Sequence, residues 1–120
     1  MKKVLIIDDD REFSDLLKVL LSGNGYEAII VNDPREGVTV TEKEKPDVVI
    51  LDDSMPAMNG REVCEALKKN ERTKGIPVIF LTGRDVKDDP GFHVEVGASA
   101  YLAKPFDSDR LLESIKFLSH

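Results

Sequence analysis

Residues 4–10 read Val4-Leu5-Ile6-Ile7-Asp8-Asp9-Asp10, four consecutive apolar residues followed directly by three aspartates. An apolar, β-branched run without polar alternation is typical of a parallel strand that helices cover on both faces. Similar runs occur at residues 28–31, 48–51, 78–81 and, more weakly, 100–103. Because stretches of helical length separate these runs, the sequence predicts five βα units, with a parallel sheet between two layers of helices.

Hydrophobic periodicity predicts the helices in the connections. Residues 11–22 carry one apolar face, formed by Phe13, Leu16, Leu17, Leu20 and Leu21. Three further helices are predicted: from Asp33-Pro34 to about Lys43, from Gly60 to Asn70, and from a cap at Asp107 or Ser108. In the fourth connection, residues 84–97, Pro90-Gly91 leaves room only for a short helix.

Length and composition limit the class of protein. The chain has 120 residues and a formal net charge of −6, which predicts one domain over residues 1–120. An acidic balance argues against direct nucleic-acid binding. No apolar run approaches the roughly 20 residues of a membrane helix, and no signal peptide opens the chain, so neither secretion nor membrane binding is expected. The single cysteine, Cys64, favours a cytoplasmic location and is expected to be an inert core residue.

Polar residues follow every predicted strand, at the edge where ligands bind in open α/β sheets. If the first and third strands are neighbours, roughly 4.8 Å apart, then Asp8, Asp9 and Asp52 converge. Three carboxylates at that range repel one another, and a hard divalent cation such as Mg²⁺ relieves the repulsion. Thr82 and Lys104 end the fourth and fifth strands, and a hydroxyl and an ammonium beside a carboxylate suit phosphoryl transfer.

Five motifs together resemble the receiver domain of two-component response regulators, from Met1 to about Ser119. Each motif is weak alone, but five in order at the family's spacing are specific. The resemblance implies a flavodoxin-like (βα)5 fold, a doubly wound five-stranded parallel sheet with strand order 2-1-3-4-5. The motifs are residues 4–10, Asp52-Asp53-Ser54-Met55-Pro56 with Met58-Asn59-Gly60, residues 77–82, Gly97-Ala98 to Tyr101, and Lys104-Pro105-Phe106.

The resemblance also implies roles for the acidic residues. Asp52 corresponds to the phosphoacceptor and Asp9 to a direct Mg²⁺ ligand, while Asp8 coordinates Mg²⁺ through water. The backbone carbonyl of Ser54 completes the protein's share of the coordination. Ser54 also lies, together with Arg84, on the route of the attacking water, where both residues tune the lifetime of the signal.

Four further residues correspond to the family's phosphoryl-contacting and switching positions. Thr82 and Lys104 would contact the phosphoryl oxygens, and Pro105, after a bond that is usually cis in the family, would aim Lys104 into the pocket. Tyr101 would swing inward as Thr82 moves. Together they would change the surface formed by the fourth connection, the fifth strand and the last helix.

The implied function is a phosphoacceptor signalling domain that takes a phosphoryl group from a sensor histidine kinase or phosphotransfer protein and controls a downstream partner or output domain. It is not expected to be an enzyme with a separate substrate, since it would catalyse only its own phosphorylation and dephosphorylation. The sequence is equally compatible with a free-standing protein and with a domain of a longer regulator or hybrid kinase.

Three alternatives remain from other classes. A Mg²⁺-dependent phosphatase with an aspartyl nucleophile would need an acid where Ser54 stands. A flavodoxin-like cofactor carrier would have a Ser/Thr/Gly-rich loop after the first strand, where this chain has three acids. A pseudo-receiver would bind partners without phosphorylation, which the intact set of acids, Thr82 and Lys104 disfavours.

Overall fold

The computed structural model describes residues 1–52, 59–82, 97–103 and 106–119, with Thr82 described through its backbone alone. The strands are β1 (Lys2–Ile7), β2 (Tyr26–Val31), β3 (Val48–Asp52), β4 (Val78–Thr82) and β5 (Ala100–Ala103). The helices are α1 (Arg11–Ser22), a 3₁₀ helix (Pro34–Glu36), α2 (Gly37–Glu44), α3 (Gly60–Lys69) and α4 (Ser108–Leu118). The short helix predicted within residues 84–97 falls almost entirely outside the described residues.

The five strands form one sheet in the order β2-β1-β3-β4-β5, and every neighbouring pair is parallel. This is the doubly wound topology that the resemblance to receiver domains implies. The chain reverses its direction of travel across the sheet after β2, so β1 and β3 become central neighbours. Ile7 of β1 lies opposite Leu51 of β3, and the residues that follow these strands therefore share one edge of the sheet.

Alternate residues of the central strands feed two hydrophobic cores on opposite faces of the sheet. Leu5 and Ile7 of β1 pack in a core with Val63, Cys64 and Leu67 of α3. The intervening Val4 and Ile6 belong to a second core, together with residues of α1 and α4 that include Leu17, Leu21, Leu111 and Ile115. All four of these β1 residues are completely buried, which explains why this part of the strand is wholly apolar, whereas the polar residues of β1, Lys2 and Lys3, lie at its more exposed start.

One prediction about α1 is wrong: Leu16 is 70% exposed and does not belong to the buried face. The buried residues of this helix are Ser14, Leu17 and Leu21. Because successive residues turn about 100° around a helix, Leu16 lies a quarter-turn away from Leu17 and outside the stripe that the sheet covers. Phe13 and Leu20 are partly buried against the same core, as predicted.

The connection after β2 is tighter at its start than predicted. Asp33 caps a 3₁₀ turn at Pro34–Glu36, and α2 begins only at Gly37. Gly37 is buried against β1, where a Cβ atom would lie 3.0 Å from Ile7 Cδ1. α2 ends at Glu44, and the capping residue that follows, Lys45, adopts a left-handed conformation with φ 48°.

The remaining helices begin and end close to their predicted limits. Asn59 caps α3 by accepting a hydrogen bond from the Glu62 backbone N–H, and Asp107 caps α4 in the same manner through Asp109. Within the residues that the structure describes, no helix combines the length and apolar character needed to cross a membrane.

Candidate functional site

Three aspartates converge at the carboxyl ends of β1 and β3. Asp8 and Asp9 follow β1, and Asp52 is the last residue of β3. One carboxylate oxygen from each of the three lies within 4.8 Å of the others. Asp8 is 2% exposed and Asp52 is 6% exposed, while Asp9 is half-buried. The convergence follows from topology, because Asp52 comes directly after Leu51, the partner of Ile7.

The donor chemistry of this cluster fits a divalent cation. Three carboxylates held together with little access to water repel one another, and a cation of charge +2 offsets most of that repulsion. All three donors are hard oxygens, which Mg²⁺ prefers, and a partial protein shell leaves positions for the water molecules that Mg²⁺ keeps. Asp8, Asp9 and Asp52 can therefore hold a metal ion.

Backbone hydrogen bonds hold the loop that carries Asp8 and Asp9. The Asp8 N–H donates to the Val31 carbonyl of β2 at 3.0 Å, which extends the pairing of β1 by one residue. The Asp10 N–H donates to Asp8 Oδ1 at 3.0 Å. The Asp10 carboxylate is not a member of the cluster and caps α1, accepting from the Phe13 N–H at 3.1 Å. Asp8 and Asp10 therefore have different tasks although they lie two residues apart.

Two residues without a predicted role, Asn32 and Ser14, contact this loop. Asn32 Nδ2 donates to the Asp8 carbonyl oxygen at 2.8 Å and to Ser14 Oγ at 3.3 Å. Ser14 is buried within α1, and its hydroxyl donates to the Asp10 carbonyl at 2.8 Å. The position of Asn32 directly after β2, at the same edge of the sheet as the acidic loop, could have indicated this contact from the sequence. Ser14 lies on the apolar face of α1, and nothing in the sequence indicates its contact with the loop.

Asp33 is separate from the acidic cluster. Its carboxylate accepts from the Arg35 backbone N–H and from Arg35 Nε and Nη2, all at 3.0 Å. The hydrogen bonds from the Arg35 side chain and backbone hold the pKa of Asp33 below its ordinary value. This carboxylate is therefore committed to the turn before α2, in agreement with its prediction as a cap.

The other predicted site residues are described only in part. Thr82 ends β4, and its backbone pairs with Ala103 at the same edge of the sheet as Asp52. Its side chain lies outside the described structure, as do all of Ser54, Arg84, Lys104 and Pro105. Their roles stay predictions.

Tyr101 lies in β5 opposite Phe80. It packs against the core that contains Phe80 and the buried face of α3, and its hydroxyl oxygen is shielded from solvent. The side chain is half-buried, so the structure places this ring inward on the α3 face of the sheet. A switching movement of Tyr101 stays a prediction.

The family model that describes the response regulator receiver domain matches residues 4–116. The chain belongs to this family. The acidic cluster of this receiver domain lies at the carboxyl ends of the strands, where the resemblance predicts the site. The order of the strands in the sheet is also the one that the resemblance implies.

Curated proteins with similar sequences are also response regulators. The DNA-binding response regulator MtrA of Mycolicibacterium paratuberculosis is 30% identical over 115 residues, which cover 96% of this chain and 50% of that protein. MtrA of Mycobacterium leprae shows the same identity and coverage. This receiver domain thus spans about half the length of the curated relatives it matches.

Solved structures with a similar fold include a chemotaxis protein and a signal receiver domain. The chemotaxis protein CheY4 of Vibrio cholerae is 31% identical, with a TM-score of 0.90 and coverage of 98% of both chains. The signal receiver domain of a signal transduction histidine kinase from Syntrophus aciditrophicus is 32% identical, with a TM-score of 0.89, over 98% of this chain and 89% of that one. Receiver domains similar to this one therefore occur in different kinds of signalling protein.

Proposed function

We propose that this receiver domain accepts a phosphoryl group on Asp52 from a phosphohistidine of a sensor histidine kinase or phosphotransfer protein, in a Mg²⁺-dependent reaction. The observation that carries the proposal is the convergence of the Asp52 carboxylate with those of Asp8 and Asp9 within 4.8 Å. Family membership favours this function over a phosphatase or a cofactor carrier of similar fold.

The transfer needs one nucleophile and one leaving group. A carboxylate oxygen of Asp52 attacks the phosphorus atom, a P–O bond forms, and the P–N bond of the phosphohistidine breaks. The imidazole nitrogen keeps the electron pair of that bond and takes up a proton from water. The product on Asp52 is an acyl phosphate, and its later hydrolysis by water restores the carboxylate and releases inorganic phosphate.

Asp8 and Asp9 have a supporting role in this proposal. Their carboxylates would hold the cation beside Asp52, with Asp9 as a direct ligand and Asp8 as a ligand through water, as the resemblance to receiver domains implies. A bound Mg²⁺ would supply positive charge next to the oxygens of the transferring group. The low exposure of Asp8 and Asp52 strengthens electrostatic interactions at this position, because little solvent screens them.

The remaining predicted residues complete the proposal. Thr82 and Lys104 would contact the phosphoryl oxygens, with Pro105 orienting Lys104, and Ser54 and Arg84 would set how fast water reaches the acyl phosphate. The domain would act on no separate substrate. Its reactions would be its own phosphorylation and dephosphorylation.

The signal would leave through a surface that changes when Tyr101 and Thr82 move together. That surface comprises residues 84–97, β5 and α4, and it would control a downstream partner or an output domain. We expect these events in the cytoplasm, with no nucleic-acid or membrane binding by the domain itself.

Acetyl phosphate provides a direct test. The wild-type protein is incubated with it, with and without Mg²⁺, and intact mass spectrometry detects the added phosphoryl group. We expect labelling that needs Mg²⁺, that disappears in Asp52→Asn and that persists in Asp10→Asn, a control in the same loop whose side chain only caps α1. Unlabelled wild type, or a labelled Asp52→Asn, would contradict the proposal.

A further inference from the structure

The amide side chain of Asn32 bridges β2 to the loop that carries the acidic cluster. Its Nδ2 atom donates to the Asp8 carbonyl oxygen at 2.8 Å, and the two residues are 24 positions apart in the sequence. The last backbone hydrogen bond between these segments is the one from the Asp8 N–H to the Val31 carbonyl. The side chain of Asn32 therefore continues the connection between the strands one peptide beyond it.

This hydrogen bond acts on the peptide group immediately before Asp9. The Asp8 carbonyl belongs to the peptide that joins Asp8 to Asp9, and Asn32 holds the orientation of that peptide. The next peptide, between Asp9 and Asp10, is held on its N–H by Asp8 Oδ1 at 3.0 Å. Because the Cα of Asp9 lies between two peptides of restricted orientation, the direction in which its carboxylate leaves the backbone is restricted as well.

Ser14 holds the amide of Asn32 in place. Ser14 is completely buried, and its Oγ lies 3.3 Å from Asn32 Nδ2 while donating to the Asp10 carbonyl at 2.8 Å. One amide group thus contacts both the acidic loop and the first turn of α1. Because the contact with Ser14 already restricts the Asn32 side chain, less conformational freedom is lost when its amide binds the Asp8 carbonyl.

We propose that Asn32 is a positioning residue of the acidic cluster, which sets the Asp8–Asp9 peptide so that the Asp9 carboxylate meets those of Asp8 and Asp52 around a divalent cation. This inference rests on the proposed function, because it concerns the same site. Removing a residue that orients a metal ligand through a hydrogen bond typically lowers the metal affinity by roughly tenfold or more.

Asn24 provides a matched control. Its Nδ2 also donates to a backbone carbonyl at 2.8 Å, that of Leu20, but at the opposite end of α1. Asn32→Ala and Asn24→Ala thus delete the same kind of hydrogen bond, one beside the cluster and one far from it.

The experiment measures the Mg²⁺ dissociation constant of wild type, Asn32→Ala and Asn24→Ala by isothermal titration calorimetry, below the melting temperature of each protein. We expect Asn32→Ala to bind Mg²⁺ roughly tenfold more weakly and Asn24→Ala to match wild type. In acetyl phosphate labelling, Asn32→Ala should need more Mg²⁺ for half-maximal rate yet reach nearly the wild-type rate at saturation. A general loss of structure would lower that plateau.

Asn32→Asp is the second variant, and it separates positioning from charge. Asp has the shape of Asn but replaces the donor with an acceptor and adds a negative charge near the site. Charge attraction alone predicts tighter Mg²⁺ binding, whereas lost positioning predicts weaker binding. If Asn32→Ala does not fold, the Mg²⁺ dissociation constant of Asn32→Asp tests the positioning role of Asn32 by itself.

The possible failures are distinguishable. Suppose that wild type binds Mg²⁺ and is labelled. An unchanged Mg²⁺ dissociation constant in Asn32→Ala, or binding by Asn32→Asp that is as tight as in wild type or tighter, then refutes the role of Asn32 and leaves the proposed function intact. If wild type neither binds Mg²⁺ nor is labelled, both proposals fall together.

Discussion

Gly37 of α2 lies directly against Ile7 of β1, so close that a Cβ atom on Gly37 would be 3.0 Å from Ile7 Cδ1 and 3.4 Å from Val63 Cγ1. Ile7 is completely buried and is followed directly by Asp8. A glycine that looks unfavourable in a helix therefore brings α2 close to the strand that ends at the acidic cluster.

Gly37→Ala should destabilise the protein. Alanine favours a helix over glycine by up to about 1 kcal/mol, but here its methyl group meets side chains in a close-packed core, and overpacking costs about 1–3 kcal/mol. We expect a lower midpoint in urea unfolding followed by circular dichroism. Gly75→Ala is the control, because nothing lies within 4 Å of a Cβ at that glycine. A Gly37→Ala variant as stable as wild type would show that Ile7 can move aside.

Asp9→Ala should abolish stabilisation by Mg²⁺ and raise stability in its absence. Mg²⁺ that binds only the folded state raises the melting temperature, and Asp9 supplies one of the three converging carboxylates. Without Mg²⁺, removing one of three repelling charges should increase the free energy of unfolding by on the order of 1 kcal/mol. Thermal unfolding with and without Mg²⁺ measures both effects.

Asp15→Ala is the control for that measurement, since Asp15 is an exposed acid on α1 and stands outside the cluster. It should respond to Mg²⁺ as wild type does. An unchanged Mg²⁺ response in Asp9→Ala would remove Asp9 from the metal site.

Cys64 should make the protein less stable in alkaline solution. Burial raises the pKa of its thiol from 9.0 to about 11, so the unfolded chain releases this proton at lower pH than the folded protein does. Between pH 9 and pH 11 the folded state binds more protons, and stability falls as pH rises, by on the order of 3 kcal/mol in total. Below pH 9 the thiol contributes no pH dependence.

The measurement compares urea unfolding of wild type and Cys64→Ala from pH 8 to pH 11. The alanine variant is expected to be less stable throughout because it leaves a cavity, so the slopes with pH are compared rather than the values. Equal slopes would show that Cys64 is not responsible. Thiol reagents should also react slowly with the folded protein, because the Cys64 side chain is completely buried.

Lys68→Met should weaken the segment before β4. Lys68 Nζ donates to the Ile76 carbonyl at 2.6 Å and to the Lys74 carbonyl at 3.2 Å, and burial lowers its pKa. Methionine keeps the apolar stem but leaves both carbonyls without this donor, at a cost of about 1–2 kcal/mol. Faster amide hydrogen exchange at Lys74–Ile76 would locate the effect. The exposed neighbour Lys69, changed to Met, is expected to have little effect.

Much of the fold follows from local patterns in the sequence. Uninterrupted apolar runs place all five strands within two residues of their observed limits, because a strand buried on both faces tolerates almost no polar residue. Asp33 and Asp107 mark the start of a turn and of a helix through a side-chain contact only two residues away. The convergence of Asp8, Asp9 and Asp52 was predicted as well, once the first and third strands were taken as neighbours.

Only the tertiary structure decides which parts of a helix or loop meet another element. Leu16 and Ser14 show this for α1: the apolar residue faces solvent and the hydroxyl is buried, since burial depends on where the sheet lies and not on apolarity. Asn32 shows it for the site, because its contact with Asp8 joins residues 24 positions apart. The sequence by itself determined the strands, the caps and the acids of the cluster. The packing of β2 beside β1 brings Asn32 to the Asp8 carbonyl, and no local periodicity encodes the distance between two strands.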